Sequence, residues 1–388
     1  MTIQQIELTH FRNYDQLSFS PHPGINIFFG ANGSGKTNLL EAVHYCSLGK
    51  SHRINQDTNA VMMGEKEASC RLRILNRYSS NEIEIRLRPG DDSVKTVMVD
   101  GKKVNRLSEM MGVLRCVIFS PEDLNLIREG PAVRRKFLDM MISQLSRPYF
   151  TALQQYRIAI SQRNAILRQA KLNFSRPDPM IQDFEDAMCQ HAKLIIQERT
   201  RFSSLLSEQS HQLYQKISGR DTENFQVQYR PSFSFEEHDI EEMRTALAAS
   251  REDDMRQGSA SVGPHRDDLL LSLNQKSMKL YASQGQMRTG ALSLKLSQLD
   301  IFHRQTGDYP VLLLDDVMSE LDLNRRMNLL GIMEGIQTFI TCSDEGDLSA
   351  YHNNRTYQVS SPAGKACLQM IKTGTIQMSE PMSEPVFD

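Results

Sequence analysis

A glycine-rich turn set between a strand and a helix constrains this chain more than any other feature. The apolar run Ile25-Asn26-Ile27-Phe28-Phe29 leads into Gly30-Ala31-Asn32-Gly33-Ser34-Gly35-Lys36-Thr37. This matches G-x4-G-K-[ST] in the strand–turn–helix context that a phosphate loop requires. Glycines let the backbone curl until several N–H groups point at one phosphate, and the helix N-terminus adds partial positive charge there. Thr37 to Leu48 is predicted helical, with Leu39, Leu40, Val43 and Cys46 on one face and Gly49 as its stop. Lys36 is expected to reach the β- and γ-phosphates of ATP and Thr37 to hold Mg²⁺. Gly30, Ala31, Asn32, Gly33, Ser34, Gly35 and Asn38 complete the expected ATP-binding set. The plainer alternative, a glycine-rich turn with a chance lysine, does not explain the flanking strand and helix.

A second motif fits the first. Val311-Leu312-Leu313-Leu314-Asp315-Asp316 reads as a buried strand ending in two carboxylates. Core parallel strands deliver their C-terminal ends to the ligand crevice. Asp315 is expected to hold Mg²⁺ through water, and Asp316 to act catalytically with Lys36, polarising the attacking water as a general base. Two acidic turn residues after a strand are the alternative.

Composition narrows the class. Of 388 residues, 39% are hydrophobic and 24% charged, which suits a soluble globular chain. Its longest apolar runs are too short to span a bilayer, and the N-terminus lacks a secretion-signal pattern, so the expected location is the cytoplasm, away from membranes. Cys46, Cys70, Cys116, Cys189, Cys342 and Cys367 form no CxxC pair, so reduced thiols are expected rather than zinc. The net charge of −2 does not decide for or against nucleic acid. Local basic clusters exist at Arg71/Arg73, Arg86/Arg88, Lys102/Lys103 and Arg134-Arg135-Lys136; each reads as a solvated face or a phosphate contact.

Patterning divides the chain. Short alternating strands fill the first 30 residues, and 69–104 reads as an antiparallel meander with an Asp100-Gly101 turn. From about 131 to 219 helix formers dominate. Phe137, Met140, Met141 and Leu145 fit one helix. Pro148 starts a second, carrying Leu153, Tyr156, Ile160, Ala165 and Leu167, and a third runs from Phe184 to Leu213. α/β texture returns at Val262, with strands at 269–273, 311–314 and 339–341 and a helix over 290–303. The expected divisions are 1–130, 131–260, 261–376 and a disordered tail at 377–388.

Between the two phosphate-related motifs lies Ser283-Gln284-Gly285-Gln286, and Ser319-Glu320-Leu321-Asp322 follows the acidic strand. In this order the chain resembles ABC-ATPase heads, whose Ser-x-Gly-Gln turn closes on the nucleotide of the partner subunit. The span from Lys36 to Asp315 is too long for a compact transporter ATPase. The implied fold is α/β: an ABC-type P-loop ATPase head, lobe I, split by an inserted α-helical lobe II with a short antiparallel helical arm. Within this class the chain is similar to the RecF family of bacterial recombinational repair. The residues carrying that likeness are His10–Tyr14, the loop 30–37, Phe119–Leu124, Gly130-Pro131, Arg134-Arg135, Gly263–Asp268, Ser283–Gln286 and Leu314–Asp322.

That resemblance implies an ATP-dependent homodimer, binding to single-stranded and gapped duplex DNA, and partnership with RecR and through it RecO. It places Thr341 where transporter ATPases carry a switch histidine, which implies slow hydrolysis resting on Asp316. Met287 and Gly290 depart from the family pattern, so looser packing is expected at that helix start. Arg134, Arg135 and Lys136 are expected to face DNA. His265-Arg266-Asp267-Asp268 fits either a site near the nucleotide or the dimer interface, or a turn fixing the lobe junction; Arg12 and Asn13 are further candidates for nucleotide contact. The competing functions are a transporter ATPase, which the helical arm disfavours, a nucleotide-gated scaffold without DNA, and a nuclease, for which no carboxylate-rich domain is evident.

Overall fold

The computed structural model describes residues 1–373 except 92, 176, 233–239 and 344–353, so the tail expected from Gln377 lies outside the described residues. Strands β1 (Thr2–Phe11) and β2 (Tyr14–Phe19) form a hairpin; β3 (Ile25–Phe29) then enters the glycine-rich turn and α1 (Lys36–Leu48) leaves it. The meander follows as β4 (Ala68–Leu75), β5 (Ser80–Leu87), β6 (Lys95–Val99) and β7 (Lys102–Lys103). Asp100 and Gly101 take φ of 51° and 73°, the left-handed pair that a tight hairpin demands. These strands make an antiparallel sheet in the order β2-β1-β4-β5-β6-β7.

After β8 (Cys116–Phe119) the chain turns helical: α2 (Asn125–Arg128), α3 (Pro131–Leu145), α4 (Arg147–Leu172) and α5 (Ile181–Ser218). Strand β9 (Phe225–Arg230), α6 (Ile240–Gln257), β10 (Asp268–Leu273), β11 (Lys276–Ser277) and α7 (Met278–Tyr281) precede α8 (Gln284–Thr306). The chain then adds β12 (Val311–Asp315), α9 (Leu323–Ile332), β13 (Thr338–Cys342), β14 (Asn354–Ser360) and β15 (Cys367–Thr373). The 38 residues of α5 give a rod of about 57 Å at the usual helical rise.

The central sheet runs β15-β14-β3-β13-β12-β8, parallel except at β15. Its core strands are buried on both faces, so each reads as an apolar run rather than an alternation. Successive residues feed two cores. Ile27, Val117, Leu312, Leu314 and Ile340 join the helices, whereas Phe28, Ile118, Val311, Leu313 and Phe339 join α1 and the antiparallel sheet.

This sandwiching corrects the expectation of a one-faced α1. From Leu39 to Ser47 every residue is buried, including Glu41. The Glu41 carboxylate accepts from Nε and Nη2 of Arg12, both at 3.0 Å. On α4, Ser146 caps the helix by accepting from Tyr149 N at 3.2 Å. Ala165 proves exposed, and Arg163 takes a buried place, its guanidinium bonded to Glu185 and Asp254 at 2.9 and 2.8 Å. Helix α8 begins at Gln284 rather than Gly290, because Ser283 and Gln286 cap each other reciprocally. Packing near Gly290 is tight: a Cβ there would stand 2.9 Å from Met278 Cε.

The turn 263–268 joins the elements. Buried Asp267 accepts from Arg199 Nη1 at 3.1 Å and Ser232 N at 2.7 Å, and from Tyr229. Asp268 makes a two-pronged pair with Arg134 at 2.7 and 2.9 Å. His265 bridges Tyr156 and the Ala260 carbonyl at 2.8 and 3.0 Å. The segment is therefore a hydrogen-bonded fastening between α3, α4, α5 and β9.

Burial pushes the His265 imidazole down to about 4, so near neutrality it is uncharged, accepting from Tyr156 and donating to Ala260. A depressed histidine stabilises the fold fully above its unfolded value of about 6.5, and that stability drains as pH falls toward the folded value. Urea unfolding is expected to show up to about 2 kcal/mol lost through His265 between pH 7 and pH 5, and His265→Gln should flatten that part of the pH dependence.

Candidate functional site

The glycine-rich turn owes its shape to positive φ at Gly30, Gly33 and Gly35, of 154°, 81° and 116°. Close neighbours add a second reason at two of them. A Cβ on Gly30 would stand 2.1 Å from the Val359 carbonyl oxygen, and one on Gly35 would stand 2.8 Å from Ala366 Cβ. Asn13 braces the turn from behind, donating to Ser34 O at 3.2 Å and accepting from Asn38 Nδ2 at 2.8 Å. Tyr14 donates to Gly35 O at 3.1 Å. Asn13 thus supports the turn and Arg12 is held by Glu41 on α1; neither lines the cavity in front of the turn.

That cavity is lined by Asn32, Gly33, Gly35, Lys36, Thr37, Asn38, Arg53, Asp315, Asp316 and Thr341. Gly30, Ala31 and Ser34 contribute the backbone behind it. Lys36 Nζ donates to Gly30 O and Ala31 O at 2.6 and 3.0 Å. Burial lowers the ammonium's pKa, opposed by the nearby Asp316 and Asp315 carboxylates. The ammonium is thus partly stripped of water, which strengthens its attraction for an anion.

The acidic strand meets this loop. Asp315 Oδ1 accepts from Thr37 Oγ1 at 2.9 Å and from Thr341 Oγ1 at 2.7 Å. Thr341 Oγ1 in turn accepts from Asp316 N at 2.9 Å. Asp316 has φ of 53°, a left-handed conformation that a short polar residue tolerates and that turns it off the line of the strand. The resemblance marks Thr341 by its place in the head, but its bonds to both aspartates have no signal in the sequence. Arg53, with Nη1 3.2 Å from Asn38 Oδ1, carries no sequence signal at all.

The Ser283–Gln286 turn lies elsewhere. Ser283, Gly285 and Gln286 line a separate cavity with Glu223, Asp322 and Arg325, which shares no lining residue with the phosphate-loop cavity. Gln286 Nε2 donates to Glu223 at 2.9 Å.

The basic residues expected to face DNA need correction. Arg134 is buried against Asp268, and Arg135 Nη1 donates to the Asp267 carbonyl at 2.6 Å. Of that trio, Lys136 is the exposed one. On the meander, Arg71 pairs with Glu7 and Glu84, and Arg88 with Glu67. These arginines are laced to carboxylates across strands, whereas Lys102 and Lys103 are exposed.

With this geometry in place, similarity to known proteins is decisive. The profile described as RecF/RecN/SMC N terminal domain matches residues 2–365. The chain belongs to the RecF family. It is 37% identical over 351 residues to the DNA replication and repair protein RecF of Clostridium novyi (strain NT), covering 90% of this chain and 95% of that one. The RecF of Clostridium acetobutylicum is likewise 37% identical over 354 residues, 91% of this chain and 96% of that one. A solved RecF-ATP structure, described as a recombination mediator protein in the RecFOR pathway, superposes with a TM-score of 0.86 at 32% identity, covering 95% and 97%. An Smc head bound to the winged-helix domain of ScpA matches at 0.57 with 14% identity over 96% and 98%, a likeness of fold alone. The RecF-family chain thus carries an SMC-like, ATP-binding ATPase head, and no described helix is long and apolar enough to cross a membrane.

Two glycines of the turn should respond differently to alanine. Nothing lies within 4 Å of a Cβ on Gly33, so Gly33→Ala costs mainly the left-handed backbone, about 1 kcal/mol. Gly30→Ala adds a collision with backbone and is expected to cost at least ~2 kcal/mol more in urea unfolding.

Proposed function

We propose that this chain is an ATP-gated DNA-binding protein of recombinational repair. Two copies close head to tail around ATP, engage DNA at single-strand gaps, and act with RecR and RecO to load recombinase. Slow, DNA-stimulated hydrolysis releases them. The observation that carries this reading is the separation of the two phosphate-contacting turns. The loop 30–37 meets Asp315 and Asp316 in one cavity, while Ser283–Gln286 lines another. A second copy supplies the Ser-x-Gly-Gln turn that one copy holds away from its own loop.

On this account Lys36 leaves the Gly30 and Ala31 carbonyls for the β- and γ-phosphate oxygens, and the loop N–H groups hold the remaining phosphate charge. Thr37 and Asp315 have oxygens 2.9 Å apart. A hydroxyl and one carboxylate beside the phosphates suit Mg²⁺, which takes few protein ligands and supplies charge neutralisation when bound. Asp316 accepts the proton of the attacking water. Thr341 fixes the backbone of Asp316 and the carboxylate of Asp315, and it carries no titratable nitrogen to share the proton, so hydrolysis is slow. Closure depends on the γ-phosphate because only the triphosphate reaches both turns.

DNA is the expected ligand of the closed dimer, with Lys136 the exposed member of the basic trio. Support comes from the family and from relatives described as DNA replication and repair proteins. Binding to a labelled gapped duplex is expected to tighten with Mg²⁺ and ATP, not with ADP, and to lose that gain in Lys36→Ala. Binding indifferent to nucleotide and to Lys36 would favour the scaffold reading, with a protein as the main ligand.

A further inference from the structure

We infer that Arg325 is a phosphate-contacting residue of the partner copy's nucleotide site, carried into place beside the Ser283–Gln286 turn. The inference rests on the head-to-tail dimer proposed above and adds a charged group to its trans half.

Arg325 sits at the start of α9, where Asp322 fixes it twice. Asp322 Oδ1 accepts from Arg325 N at 2.9 Å, and Asp322 Oδ2 accepts from Nη1 at 2.9 Å. The rest of the guanidinium turns toward the Ser283–Gln286 turn. Nη2 lies 3.6 Å and Nη1 3.9 Å from the place a Cβ on Gly285 would occupy. The absent side chain of Gly285 thus leaves the guanidinium beside the turn's backbone. The Arg325 side chain is 26% exposed, so its remaining N–H groups face a cavity open to a ligand.

The formal charges of that cavity balance, Arg220 and Arg325 against Glu223 and Asp322, so its free donors decide what it takes. Its two carboxylates are already matched, Asp322 by Arg325 and Glu223 by Arg220 at 3.1 Å and by the Gln286 amide. Ser283 and the N-terminus of α8 add donors and partial positive charge. A guanidinium forked between one carboxylate and open space suits a phosphate oxygen better than an ammonium would, because its geometry is planar and fixed. The short chain from Asp316 to Arg325 also ties this group to the acidic strand.

A complementation experiment tests this. Arg325→Ala is expected to bind a fluorescent ATP analogue as the parent does, because its own phosphate-loop cavity lacks Arg325; this also shows that the variant is folded. Its turnover should fall by about 100-fold, the usual loss on removing one donor to developing phosphate charge. Asp316→Asn should be inactive for a different reason, keeping ATP but not activating water. Mixed in equal amounts, the two inactive chains should recover about a quarter of wild-type turnover, since about half of the dimers are mixed and each holds one complete site. No recovery, in a mixture that light scattering shows to dimerise with ATP, would overturn the trans role of Arg325 while sparing the dimer. Undiminished turnover in Arg325→Ala would overturn the assignment outright. Failure of the wild-type chain to dimerise with Mg²⁺ and ATP would overturn the dimer and this inference together.

Discussion

The site depends on parallel pairing among β3, β13 and β12. Thr341 lies opposite Phe28 on one side and Asp315 on the other, and Cys342 lies opposite Phe29. This register brings the ends of three strands, far apart in sequence, to one edge. The phosphate loop can then start at Gly30 within reach of Asp315. The hydrogen bonds from Thr37 and Thr341 to Asp315 fasten that edge. A slip of one residue would turn Asp315 to the other face of the sheet and separate it from Thr37. Backbone pairing buried between two apolar cores therefore sets a polar constellation at its rim.

The same sheet explains the placement of the helical segment. Its strands come from both ends of the chain, so the 131–260 stretch must leave and return without breaking the pairing of β8 with β12. The buried ion pairs of Arg199 with Asp139 and Asp267, and of Arg134 with Asp268, hold that excursion in one orientation. Such pairs add little net stability over apolar packing, but losing one partner strands a buried charge. Here they join α3 and α5 to the 263–268 turn.

Much of the head was legible in the sequence because its signals are local. Strand, glycine turn and helix follow one another at 25–48, and an apolar run ending in two aspartates marks 311–316. The parts that were not legible depend on distant partners. Nothing near Arg134 or Arg135 announces that Asp267 and Asp268, more than 130 residues away, will hold them, so they read as solvent-facing cations. Glu41 and Arg163 stand outside the apolar sets expected of their helices; Arg12, and the pair Glu185 and Asp254, make them interior. His265–Asp268 left two readings open in sequence, and the contacts of Asp267 supply the fastening that one of them expected. Arg53 joins the cavity through loop path alone, and the bonds of Thr341 to the aspartates follow from sheet register.

The account centres on a nucleotide site that one copy begins and another completes. Sedimentation velocity of the Asp316→Asn chain, which should retain ATP, tests this most directly. The account predicts a dimer that persists in Mg²⁺ and ATP and returns to monomer in ADP, with the dimer fraction rising with protein concentration. A chain that binds ATP yet sediments as a monomer at every concentration would contradict it.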